Sequence, residues 1–111
     1  MYLSLCLMTK WEGSYIPEWL SWHRSIGVEH FFILDNGGDL LPEYGSDVTI
    51  VPYLEDSGIG KQNRAYELVL AQYGHQTRWM GFIDTDEFLV PKLPIVGMLK
   101  EREHCSGLGV S

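Results

Sequence analysis

Apolar runs and amphipathic stretches alternate along this chain, and turn residues separate them. Residues 2–8 hold almost no polar position, which predicts a strand inside a parallel sheet. A loop carrying Lys10, Trp11 and Glu12 follows. In 15–26, Ile16, Trp19, Leu20, His23 and Ile26 recur at helical spacing and predict an amphipathic helix. Ser14 is placed to cap it, Pro17 suits its first turn, Glu18 complements its positive end, and Gly27 suits a left-handed stop. His23, on the apolar face, reads as a hydrogen-bonded packing histidine rather than a ligand.

Residues 28–34 predict a second strand, which ends at Asp35. Asn36, Gly37 and Gly38 then call for positive φ and a sharp turn. Residues 40–45 form a connector with room for one helical turn, and 48–53 predict a third strand. A polar, glycine-bearing loop leads to a second helix over 62–73, with Ala65, Leu68 and Val69 inward and Gly74 at its end. Residues 79–83 are short, aromatic and apolar, and predict a buried fourth strand. A second apolar run, 88–90, stops at Pro91. A third helix is expected over 93–103, and 107–111 read as the start of another strand. Such alternation predicts a mostly parallel sheet with helices on both faces and right-handed crossovers. It also predicts an incomplete domain, whose open sheet edge favours self-association.

The fourth strand ends in chemistry. Asp84, Asp86 and Glu87 place three carboxylates within four positions, beside apolar runs that carboxylates ordinarily avoid. Two readings are open: a solvated acidic turn, or a pair of oxygen ligands for a hard divalent cation and a phosphate ester. Topology bears on the choice, because ligands of open α/β sheets sit at the carboxyl ends of strands. Lys10, Glu12, Asp35, Asp84 and Asp86 all leave that edge.

Composition narrows the classes. A chain of 111 residues fits one domain or part of one, and 45% hydrophobic residues suffice for a folded core. A net charge of −7 and the lack of a basic cluster argue against a nucleic-acid partner. Cys6 reads as a buried small hydrophobe. Cys105 follows His104, with no second ligand pair at zinc spacing. Together they favour a reducing compartment. No run approaches the ~20 apolar residues of a membrane span, and no signal peptide is visible. A cytoplasmic location is expected, at the inner face of a membrane in a bacterium. The Golgi lumen is the alternative if the protein is eukaryotic and an anchor precedes this sequence. Gly58, Gly60 and Lys61 do not make a phosphate loop, since Glu55 and Gln62 stand where Gly and Ser or Thr are required. Asn63 likewise breaks a dinucleotide fingerprint.

The ordered set Lys10-Trp11-Glu12, Tyr15-Ile16-Pro17-Glu18-Trp19, His23, Gly27-Val28, Asp35-Asn36 and 79–89 resembles the family 2-like glycosyltransferases. The likeness is to the group that includes family 92, with a GT-A fold. It covers nearly the whole chain and implies that 1–111 are the N-terminal, donor-binding part of such a domain. It further implies that Asp84-Thr85-Asp86 is an Asp-x-Asp motif. Its acids would hold Mn²⁺ or Mg²⁺ on the diphosphate of a nucleotide-sugar donor such as a UDP-sugar. Asp86 would be the more direct metal ligand, with Asp84 also nearer the ribose or sugar. Asp35 would meet the nucleobase, Glu12 would lie near the nucleotide, and Gln62 would face the donor. The acceptor would be a glycan or a lipid-linked or cell-surface polysaccharide.

Two departures stand out. Similar sequences usually carry Asn where Trp11 stands. The acceptor half and catalytic base lie further downstream in such enzymes, so no catalytic residue is assigned and no transfer by these residues alone is expected. Two other classes compete. One is a metal-dependent phosphotransferase or hydrolase, disfavoured because the first strand ends in Met8-Thr9-Lys10 without an aspartate nucleophile. The other is a non-catalytic or decayed fragment acting as a binding domain.

Overall fold

A computed structural model describes residues 1–53 and 60–104. Four strands, β1 (Leu3–Thr9), β2 (His30–Asp35), β3 (Val48–Pro52) and β4 (Trp79–Phe82), form one all-parallel sheet in the order β3-β2-β1-β4. Three α-helices flank it: α1 (Ile16–Ser25), α2 (Lys61–Tyr73) and α3 (Ile95–Lys100). The arrangement is α/β and Rossmann-like, as the alternation of elements predicts.

Strand periodicity sorts the core into two layers. Leu3, Leu5, Leu7, Phe31 and Ile33 face one way and pack with Ile16, Trp19 and Leu20 of α1 and with Ile95 and Leu99 of α3. Cys6, Phe32 and Leu34 face the other way and meet Ala65 and Val69 of α2. Because β1 is buried on both sides, it has no polar face to lose. Removing a fully buried ring such as Phe31 would cost about 3–5 kcal/mol. Burial pushes the Cys6 thiol up to about 12, so it stays protonated and packs as a small hydrophobe.

The helix ends show where local signals win or lose. Gly27, at φ +105°, closes α1. The Gly27 N–H donates to the Arg24 carbonyl and the Val28 N–H to the His23 carbonyl, at 3.2 and 3.1 Å, the paired bonds of a Schellman stop. Ser14 does not cap α1. It lies inside a 3-10 turn, Gly13–Tyr15, so the residue before α1 is Tyr15, with no side-chain cap. Gly74 is not left-handed either: the chain runs through it in right-handed conformation into a second 3-10 turn, Gly74–Gln76.

Other expectations shift. The connector after β2 contains no helical turn. α3 is shorter than expected at both ends: Pro94 serves as its N-cap, and 101–104 are turn. β4 is not buried throughout. Trp79 is, but Met80, Gly81 and Phe82 are half-buried. The reason is position: β4 pairs only with β1 among the described residues, so one flank is open. The loop over 54–59, Cys105 and the strand expected at 107–111 lie outside the described residues. Among the described residues, no helix is long and apolar enough to cross a membrane.

Candidate functional site

All four strands run the same way, so their carboxyl ends share one edge of the sheet. Between β1 and β4 the order of winding reverses, since β2 and β3 lie on one side of β1 and β4 on the other. Such a switch point opens a crevice between the two outgoing loops, where open α/β sheets bind ligands. The loop with Lys10 and Glu12 leaves one side of this crevice, and the acidic turn after β4 leaves the other.

The acidic turn alternates. Asp84 and Asp86 are exposed, whereas Thr85 between them is 3% exposed. The Thr85 hydroxyl donates to Oε2 of Glu12 at 2.7 Å, which joins the two sides of the crevice. The Asp84 N–H donates to Glu87 Oε1 at 2.9 Å, and the Glu87 N–H returns to the Asp84 carbonyl at 3.1 Å. Glu87 is therefore committed to closing its own turn. Gln62, in the first turn of α2, donates to Asp84 Oδ1 at 3.2 Å and to the Tyr66 hydroxyl at 3.0 Å. The Tyr66 ring packs at a 34° tilt on Phe82, with centroids 4.6 Å apart. Burial, with smaller contributions that include the Asp84 charge, pushes its phenol up to about 12, so it remains neutral.

Helix α1 grips the same segment by its backbone. The Trp19 indole donates to the Asp84 carbonyl at 3.1 Å, and the Trp22 indole to the Leu89 carbonyl at 2.7 Å. His23, fully buried, lies 2.8 Å by Nδ1 from the Trp19 carbonyl, and its Nε2 receives the Leu89 N–H at 3.2 Å. Those partners fix the neutral tautomer with its proton on Nδ1, since a carbonyl can only accept and an N–H can only donate. The ring stacks on Phe88 at 5.7 Å and 12°. Burial holds its pKa below the ordinary histidine value, against the hydrogen bond to Trp19. His23 is thus the packing histidine expected from its place on the apolar stripe.

Asp35 stands at the last position of β2, in register with Thr9 of β1. Its Oδ1 accepts the Gly37 N–H at 2.9 Å, so turn chemistry uses one of its oxygens. Asn36, next to it, is buried. It donates to the Tyr53 carbonyl at 2.7 Å and accepts from the Lys61 ammonium at 3.0 Å. Lys61 therefore braces the loop at the base of α2, while Lys10 is exposed. The hydroxyl of Thr9 is buried at the end of β1 without a hydrogen-bond partner among the described residues.

Of the residues singled out from sequence, Glu12 and Gln62 both reach the turn that bears Asp84 and Asp86, Glu12 through Thr85 and Gln62 through Asp84 itself. Asp35 lies across β1, two strand spacings from β4, or roughly 10 Å. Sequence reasoning missed Trp19, Asn36, Tyr66 and the inward role of Thr85. Only for Thr85 was a signal present, in the polar alternation of Asp84-Thr85-Asp86. Among the described residues, no three His, Cys, Asp or Glu side chains converge to form a protein-only metal cage. The turn instead offers two exposed carboxylates, a donor set that suits a hard cation sharing its coordination with phosphate oxygens and water.

A four-stranded parallel α/β sheet with paired acids beside its switch point has the layout of a Rossmann-like unit. The sequence model of glycosyltransferase family 92 matches residues 3–101, and the chain belongs to that family. A family 92 protein of Ricinus communis is 30% identical over 97 residues, covering 78% of this chain and 16% of the relative. Family 92 proteins of Oryza sativa and Arabidopsis thaliana are 29% and 28% identical over the same shares. The chain thus spans about one sixth of the length of these curated relatives. No solved structure matches it.

Proposed function

We propose that this chain is the donor-binding portion of a GT-A glycosyltransferase, and that Asp84 and Asp86 hold Mn²⁺ or Mg²⁺ against the diphosphate of a nucleotide-sugar, a UDP-sugar in the first instance. The observation that carries the reading is the pair of exposed acids around an inward Thr85, on a turn beside the switch point. An inward threonine with outward aspartates leaves both carboxylates open to solvent, where a cation can reach them. When bound, the cation supplies Lewis-acid stabilisation to the departing nucleoside diphosphate.

The chain's own groups do the rest. Gln62 orients the Asp84 carboxylate by donating to Oδ1, which leaves the other oxygen for the ligand. Asp35 stands across β1 at the span a nucleoside needs, and meets the base. The neutral phenol of Tyr66 supports Gln62 without adding charge. The acceptor is a glycan or a lipid-linked saccharide.

The test is thermal unfolding of the chain with saturating Mn²⁺ and UDP. A ligand at about 100 times its Kd adds about 2.7 kcal/mol. For a chain of this size that raises Tm by roughly 10 °C. Asp86→Ala should abolish the rise. Absence of any shift in the unsubstituted protein would sink the reading.

A further inference from the structure

We propose that Glu12 is a positioning residue rather than a ligand contact: with Thr85 it forms a strap across the switch point that fixes the directions of Asp84 and Asp86. The proposal rests on the donor-site reading above and deepens it. Thr85 is the one residue of the acidic triplet turned into the protein, and the partner it finds there is the carboxylate of Glu12 at 2.7 Å. A hydroxyl donating to an ionised carboxylate is among the stronger hydrogen bonds a protein makes. In a turn, setting the central side chain inward sends its two neighbours outward, so the strap determines where both aspartates point.

The far side of the strap is itself braced. Trp11 donates its N–H to the Gly37 carbonyl at 3.2 Å, and Gly13 donates its N–H to Asp39 Oδ1 at 2.9 Å. Glu12 is therefore anchored on both flanks to the loop after β2. The loop after β1 thus joins three strand ends: its backbone holds the loop after β2, and the Glu12 carboxylate holds the turn after β4. Glu12 performs this task through Oε2.

Two measurements test the strap on the 111-residue chain. The first is calorimetric titration with Mn²⁺ and UDP. Glu12→Ala and Thr85→Val should each weaken binding about tenfold. The double variant should be no weaker than either single one, because both remove the same bond. Glu12→Gln and Thr85→Ser keep an acceptor and a donor, and should stay within about threefold of the parent. If Glu12 instead touches the cation or nucleotide by its charge, Glu12→Gln will fall as far as Glu12→Ala, Thr85→Val will bind normally, and the losses will add; any of these overturns the strap.

The second measurement is amide hydrogen exchange without ligand. Exchange at 84–87 should quicken about tenfold in Glu12→Ala and Thr85→Val, with β1 and β2 amides unchanged. Unchanged exchange at 84–87, or a rise spread equally over β1 and β2, refutes the proposal. If the parent binds no Mn²⁺ and UDP, the donor-site reading fails on its own, and exchange still decides whether the strap exists.

Discussion

Gly38→Ala should unfold this protein far more readily than its exposed position in a loop implies. Gly38 sits at φ +132°, where L side chains are disfavoured. A β-carbon there would lie 2.5 Å from the Trp11 amide nitrogen and 2.9 Å from its Cα. These are backbone atoms and cannot swing aside. The disfavoured backbone costs about 1–3 kcal/mol. Forcing the two loops apart adds about 1–3 kcal/mol, as overpacking does. A combined loss of about 3 kcal/mol is a large share of the roughly 5–15 kcal/mol that holds a domain folded. It should lower Tm by about 12 °C or more in a chain this short. Gly97→Ala is the matched control. Gly97 lies within α3 with nothing inside 4 Å of an added β-carbon, so the change should gain about 0.5–1 kcal/mol from helix propensity. Thermal melts followed by circular dichroism at pH 7.5 separate the two. A Gly38→Ala melt within 2 °C of the parent, or an equal loss in both variants, would refute the close-approach argument.

One buried and one half-buried histidine make a second prediction. Burial lowers the pKa of His23 and of His30 in the folded protein. The unfolded chain therefore takes up protons first, and stability present above about pH 6.5 is lost as pH falls toward the folded values. Urea midpoints should drop between pH 7.5 and 5.5, and a flat or rising midpoint contradicts the burial argument. On the surface, Arg24 holds Asp47 through two bonds of 2.7 Å and also reaches the Tyr44 carbonyl. Arg24→Ala should cost about 1 kcal/mol, near the top of the range for exposed pairs because the contact is bidentate. The Arg24 hydrogen bond depresses the Asp47 pKa, so this contribution is present above about pH 3.8 and fades as pH falls through the folded value. The gap between parent and Arg24→Ala melting points should close in strong acid, and a gap that persists there means the arginine acts by packing alone.

How much of this was legible in the sequence depends on the reach of each interaction. The stripe Ile16-Trp19-Leu20-His23 and the apolar block of β1 carry their own periodicity, so their burial could be read directly. Gly27 and Gly37-Gly38 announce positive φ, because few other residues accept it. β4 misleads, since Trp79 to Ile83 has the composition of a central strand while its neighbour on one side decides its exposure. Ser14 misleads in the opposite way: its side chain suits a cap, but the tight turn Gly13–Tyr15 absorbs it before α1 begins. At the site, the acids announced themselves by clustering beneath apolar strands. Their supports did not, since Thr85 meets Glu12 across 73 positions and Trp19 meets Asp84 across 65. No local pattern encodes which way an indole N–H will point.

The hydrogen bonds by which helix α1 holds the acidic turn all go to main-chain atoms: the carbonyl of Asp84 and both the N–H and the carbonyl of Leu89. Every amino acid except proline brings those atoms with it. Those bonds are thus indifferent to the side chains the turn presents at 84 and 86, whereas Phe88 adds its ring to the hold by packing on Trp22 and His23. Scaffold and chemistry are separately inherited here. Substitution at Asp84 or Asp86 changes the charge the turn presents, while substitution at Trp19, Trp22 or His23 alters how firmly the turn is held.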